Sequence, residues 1–261
     1  MLFTTYVKGF SCFLGKKGEN RRGFMFRTIR LFGYLGSFLL RQRKFIDKVH
    51  AAYQNGESSQ CYKEIDNVAF PAMSRILKIA GATVTVKGLE HINRNENYLY
   101  VGNHQGNMDI PILYCSAPNT MAFVAKKEMV NIPLLGKIMQ ARGCLFLDRE
   151  NPRNAIKAIN EGIKLLKEGH NLSIFPEGTR SKGPTMGEFK PGALKMAMKS
   201  GKKIVPVTIN GSYKLMEEKK GVSPAEVEVI FSEPVDVTSY KDAIALSADI
   251  KSIIQGKLRT S

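Results

Sequence analysis

Apolar residues recur at one period over the first part of the chain and at another beyond it, and the change falls near residue 82. Over residues 26–53 the recurring positions include Phe26, Ile29, Leu35, Phe38, Phe45, Ile46 and Val49. Over residues 58–80 they include Tyr62, Ile65, Met73, Ile76 and Leu77. Spacings of three and four predict two amphipathic helices. The polar link Gln54–Gln60 separates them, which predicts a helical hairpin with Pro71 as a bend.

From Ala82 onward the pattern becomes short apolar or β-branched runs alternating with helical ones. The predicted strands are Thr83–Val86, Tyr98–Val101, Met121–Ala125, Cys144–Leu147, Leu172–Phe175, Ile204–Ile209 and Val227–Phe231. Helical patterns lie between several of them, at Ile110–Cys115, Pro133–Ala141, Pro152–Lys167 and Ala193–Lys199, and a last one spans Tyr240–Leu258. Such alternation predicts an α/β fold with a mainly parallel central sheet flanked by helices. The expected organisation is an N-terminal basic and apolar helical region over residues 1–81 and an α/β domain over 82–261.

Charge sharpens this picture. The 261 residues are 43% hydrophobic and 24% charged, an ordinary globular composition, but the net charge is +16. Residues 1–50 hold eleven Lys or Arg against two acidic residues, so +9 of the total sits in the helical region. Basic residues flanking Phe24–Phe26, Ile29 and Leu31–Leu40 suit an anionic bilayer surface better than a nucleic-acid groove. Leu31–Leu40 is bounded by Arg30 and Arg41 and falls short of the ~18 apolar residues of a spanning helix. The expectation is a peripheral or monotopic attachment at the cytoplasmic face, with residues 1–24 peripheral to the fold. Cys12, Cys61, Cys115 and Cys144 form no C-x-x-C pair, so neither a zinc site nor a disulfide framework is expected.

The candidate chemistry lies where two predicted strands end. Residues 103–109 read Asn-His-Gln-Gly-Asn-Met-Asp after the Tyr98–Val101 strand, and residues 175–180 read Phe-Pro-Glu-Gly-Thr-Arg after the other. Carboxyl ends of strands are where open α/β sheets bind ligands. On one helix His104 and Asp109 would stand about 140° apart. Gly106-Asn107 supplies a corner instead, putting Asp109 in the first helical turn, within reach of one imidazole nitrogen. The other nitrogen is then a general base. The chain contains no G-x-S-x-G elbow, P-loop or H-E-x-x-H, so the proton is expected to come from a substrate hydroxyl. An arginine on the second loop suits an anion. Competing with this is a non-enzymatic basic protein binding membrane or nucleic acid, which accounts for the charge but not for the ordered motifs.

Four blocks follow one another: N-H-x-x-x-x-D at 103–109, Gly143–Arg149, Phe175–Arg180 and Ile204–Ile209. Their order and spacing over residues 82–231 resemble the glycerolipid acyltransferases, specifically the 1-acylglycerol-3-phosphate (lysophosphatidic acid) acyltransferase family. Ala125–Met129 with Pro133 and Gly136 resembles that family's linker between its first two blocks. The resemblance implies transfer of an acyl chain from acyl-CoA or acyl-carrier protein to the sn-2 hydroxyl of 1-acylglycerol 3-phosphate, giving phosphatidic acid. It implies His104 as base and Asp109 as its orienting partner. Arg180 is the implied phosphate ligand, with Arg149 and Lys126 as further positive charges. The turn Glu177-Gly178-Thr179 would shape the site and offer an oxyanion N–H, with Glu177 holding its loop or an arginine. No metal or cofactor is expected, and no nucleic-acid partner. The Leu147-Asp148-Arg149 form implies a lysophosphatidate acceptor; another lysophospholipid or glycerol 3-phosphate is the alternative.

Overall fold

The computed structural model describes residues 21–148, 151–219 and 221–259. Its strands are β1 (Ala82–Lys87), β2 (Leu99–Gly102), β3 (Ala122–Lys126), β4 (Leu145–Leu147), β5 (Leu172–Ile174), β6 (Ile204–Asn210) and β7 (Ala225–Phe231), so each predicted apolar run yields a strand. They form one sheet in the order β1-β7-β6-β2-β5-β3-β4. Every neighbouring pair is parallel except β6 and β7, where Val207 lies opposite Phe231. The β6–β7 connection carries only a 3₁₀ turn, Ser212–Leu215. Without a crossover helix the chain stays at the carboxyl end of β6 and returns alongside it.

The central strands β2, β5 and β6 are buried along their whole length, as expected of strands covered on both faces. Alternation along β2 divides the core in two. Tyr98 and Tyr100 join Ile112, Val207 and Phe231 on one face, while Leu99 and Val101 join Leu166, Leu194 and Ile250 on the other. The first face is covered by α1 (Arg21–Arg41), α3 (Ser58–Ala80) and α4 (Asp109–Ser116). The second is covered by α6 (Pro152–Lys167), α7 (Lys195–Ser200) and α8 (Ala243–Gln255). Helix α6 begins as its sequence dictates, with Pro152 in the first turn and the Asn151 side chain accepting the Arg153 and Asn154 N–H groups.

The expected first helix over 26–53 is two, because the chain turns at Gln42 between α1 and α2 (Arg43–Gln54). The interruption is slight: Gln42 N–H still donates to the Phe38 carbonyl at 2.9 Å. Helix α3 continues past Pro71 to Ala80 and ends at Gly81 in the left-handed region. Helices α2 and α3 pack with α5 (Leu135–Ala141) through Ile46, Val49, Ile65 and Ile138. A buried polar cluster ties α3 to the elements bearing the motifs. Arg142 binds both oxygens of Asp66, at 2.5 and 3.1 Å, and Tyr114 of α4 donates to the same carboxylate at 2.5 Å.

Candidate active site

Strand β2 lies between β5 and β6, and all three run in one direction, so their carboxyl ends meet at one edge of the sheet. The loops leaving that edge carry residues 103–108, 175–190 and 211–224. Asn103 fastens the first loop to β6: its side-chain amide donates to the Ile209 carbonyl at 2.9 Å and accepts the Ile209 N–H at 2.7 Å. A side chain thus completes a ladder that the turning backbone has left.

His104 Nδ1 lies 2.6 Å from Asp109 Oδ2. The corner between them brings this about: Gly106 N–H donates to the same oxygen at 2.9 Å, and Asp109 is the first residue of α4. An ionised carboxylate only accepts, so Nδ1 carries the proton and Nε2 is the basic position of the ring. The imidazole stacks on Phe175, with centroids 4.4 Å apart and planes inclined by 14°. Its side chain is 18% exposed, while that of Asp109 is fully buried. Charge on the imidazole would therefore form beside a carboxylate shielded from water, where the attraction is strongest.

Glu177 joins the two motif loops. One of its oxygens accepts the His104 backbone N–H at 2.6 Å and the other the Gly187 N–H at 2.7 Å. Burial pushes its carboxyl above the ordinary range despite those two donors. The loops also bond directly, Ser181 N–H to the His104 carbonyl at 2.8 Å and Lys182 N–H to the Gln105 carbonyl at 3.1 Å. Arg180 therefore sits one residue from a backbone bond to His104. Its Nη1 is 3.1 Å from Glu217 Oε1, which also accepts the Asn107 N–H at 2.8 Å.

His104, Asp109, Glu177 and Arg180 are thus brought together. Lys126 ends β3 on the same sheet edge but is exposed, paired with Glu128 at 3.1 Å, and makes no ion pair to the His104 or Arg180 loops among the described residues. Arg149 lies outside the described residues. In the Glu177-Gly178-Thr179 turn the Gly178 N–H donates to the Phe175 carbonyl at 3.1 Å, and Thr179 is exposed. No group of three or more metal-ligating side chains is placed to hold an ion among the described residues.

Sequence reading missed three residues of this site. Each of Gln105, Ser212 and Glu217 makes a contact across more than a hundred positions, where spacing carries no signal.

Comparison with known proteins places this geometry. Residues 83–210 match the acyltransferase family model. A 1-acyl-sn-glycerol-3-phosphate acyltransferase of Borreliella burgdorferi is 36% identical over 133 residues, 51% of this chain and 53% of that protein. The chain therefore spans about half the length of that relative. A probable 1-acyl-sn-glycerol-3-phosphate acyltransferase of Mycoplasma genitalium is 33% identical over 202 residues, 69% of this chain and 75% of that one. The crystal structure of the 1-acyl-sn-glycerophosphate (LPA) acyltransferase PlsC from Thermotoga maritima matches with a TM-score of 0.74 at 27% identity, covering 89% of this chain and 93% of the other. With the histidine–aspartate pair inside the matched stretch and the fold shared almost throughout, the chain belongs to the 1-acyl-sn-glycerol-3-phosphate acyltransferase family.

Proposed function

We propose that the protein moves an acyl chain from an acyl thioester, on CoA or acyl-carrier protein, to the sn-2 hydroxyl of 1-acyl-sn-glycerol 3-phosphate. The products are phosphatidic acid and the free thiol. The observation that carries this reading is the His104–Asp109 contact of 2.6 Å beside a loop presenting Arg180. In the acceptor the reacting hydroxyl is one carbon from the carbon bearing the phosphate, so base and anion site must be close neighbours. The Ser181–His104 backbone bond supplies that closeness.

His104 Nε2 takes the hydroxyl proton as the oxygen attacks the thioester carbonyl, and Asp109 steadies the imidazolium. The tetrahedral intermediate collapses with cleavage of the carbon–sulfur bond, and the proton passes from His104 to the departing thiolate. Arg180 grips the acceptor phosphate, exchanging its bond to Glu217 for the substrate's oxygens. Arg149 and Lys126 add positive charge around that phosphate. The Thr179 N–H is the oxyanion donor, since its Gly178 neighbour is engaged within the turn.

Of the expected docking region, residues 1–81, those from 21 onward form it and residues 1–20 lie outside the described residues; residues 82–261 form the catalytic domain. No described helix is long and apolar enough to cross a membrane. Helix α1 instead turns Leu31 inward and leaves Met25, Phe26, Ile29, Phe32 and Leu40 exposed beside Arg30 and Arg41. That face suits the interface of an anionic bilayer at the cytoplasmic side, where the lysolipid acceptor resides.

Replacing His104 with Ala should lower turnover by about 10²- to 10⁴-fold while vesicle binding persists. Unchanged turnover would overturn the catalytic assignment. Lysophosphatidate proving the poorest of several acceptors offered with one donor would overturn the substrate.

A further inference from the structure

A buried carboxylate has several lone pairs to satisfy, and Asp109 divides its own between two loops. Oδ2 serves His104 and the Gly106 N–H; Oδ1 accepts the hydroxyl proton of Ser212. Ser212 comes from the third loop, just beyond β6, and is fully buried. Gly211 turns the chain toward Asp109 with φ +86°, and a Cβ there would come within 2.7 Å of the Glu226 carbonyl oxygen. The Ser212 backbone N–H donates to Gln105 Oε1 at 3.1 Å. The same amide oxygen is 3.3 Å from the serine hydroxyl, but the hydroxyl has one proton, and the anionic carboxylate is the stronger acceptor. Gln105 itself is 1% exposed and follows His104 directly. The chain of contacts Gln105–Ser212–Asp109–His104 therefore closes on itself.

We infer that Ser212, held by Gln105, is a positioning residue for acyl transfer: it fixes the rotation of the Asp109 carboxylate and so the direction of His104 Nε2. This rests on the proposed acyltransferase reading. Ser212 lies beyond the stretch matched by the family model, which ends at residue 210. The hydroxyl acts on charge as well as on geometry. By donating to Oδ1 it draws negative charge away from Oδ2. Without it the carboxylate concentrates its charge on Oδ2 and holds an imidazolium more tightly, which the acidic limb of the rate profile reports.

The test measures kcat, KM and the pH profile of kcat/KM for Ser212→Ala with lysophosphatidate and one acyl thioester. The expected result is a kcat lower by about 10- to 100-fold, a KM within about twofold of the parent, and an acidic limb moved to higher pH. In an Asp109→Asn background the same substitution should cost almost nothing further, because the residue acts through that carboxylate. If Ser212→Ala does not fold, Ser212→Cys replaces it. Its thiol is a weaker donor, and the same shift is expected at smaller size. An unmoved acidic limb, or a full additional loss in the Asp109→Asn background, overturns the inference. His104→Ala run alongside separates the two readings. Activity surviving in that variant defeats acyl transfer by His104, whereas its loss together with an unmoved Ser212 profile defeats the positioning role alone.

Discussion

Glu217 places a carboxylate where water barely reaches it: its side chain is 4% exposed, and Oε2 has no internal partner. Burial raises its carboxyl above the ordinary 4.5, although Asn107 N–H and Arg180 both pull the other way. The folded chain thus binds this proton more tightly than the unfolded chain does. The stability it contributes is complete below the ordinary carboxyl range and is lost as pH rises through the elevated value. Glu217→Gln keeps the oxygen that accepts from Asn107 and Arg180 but removes the titration. Denaturant unfolding measured from about pH 4 to about pH 8 should show a shallower decline across that range in the variant than in the parent. Parallel curves would mean that the charge of Glu217 is not what titrates there. At this scale the sequence is informative only over short reach. His104 and Asp109 are five apart and meet through a glycine corner, so their contact can be read from the motif. Glu217 and Ser212 reach the same loop from beyond β6 in the chain, and a glutamate or serine in such a connecting stretch announces nothing.

Among the elements, the seven strands and their carboxyl-end loops were readable because period and length are local properties. The reversal of β7 was not, since it depends on how the chain leaves β6 rather than on the composition of either strand. Gln42 illustrates the same limit: nothing in its neighbourhood breaks the helical period, yet α1 and α2 divide there. The Gly211 turn bears the consequence of the β6 exit. Its positive φ and the carbonyl 2.7 Å from a would-be Cβ exclude any side chain without local movement. Gly211→Ala should destabilise the fold by about 2 kcal/mol, read as a lowered denaturant midpoint at unchanged slope. A midpoint equal to that of the parent would show that the turn relaxes freely.

For the whole molecule, the exposed apolar face of α1 beside Arg30 and Arg41 is the surface proposed to meet an anionic bilayer. Point changes test it better than truncation, because α1 also belongs to the fold. Leu31 is buried, and Arg27 donates to the Ile79 carbonyl at 3.4 Å. Phe26→Ser combined with Ile29→Ser removes apolar bulk only where it is exposed, 64% and 61% respectively. Partitioning onto anionic vesicles should fall by about tenfold or more, with the remainder abolished by salt. Equal partitioning would refute bilayer docking by this helix. The inner side of α1 reaches further than its own packing. Thr28 Oγ1 accepts the Val222 N–H at 3.0 Å, and Gly221 lies so close to Phe24 that a Cβ would meet the ring at 2.4 Å. Those two residues end the stretch that begins with Gly211 and contains Ser212 and Glu217. Grafting this helix from one relative to another is accordingly no simple change of address. Any hybrid that is to keep its catalytic loop in register must bring residues 211–222 along as part of the graft.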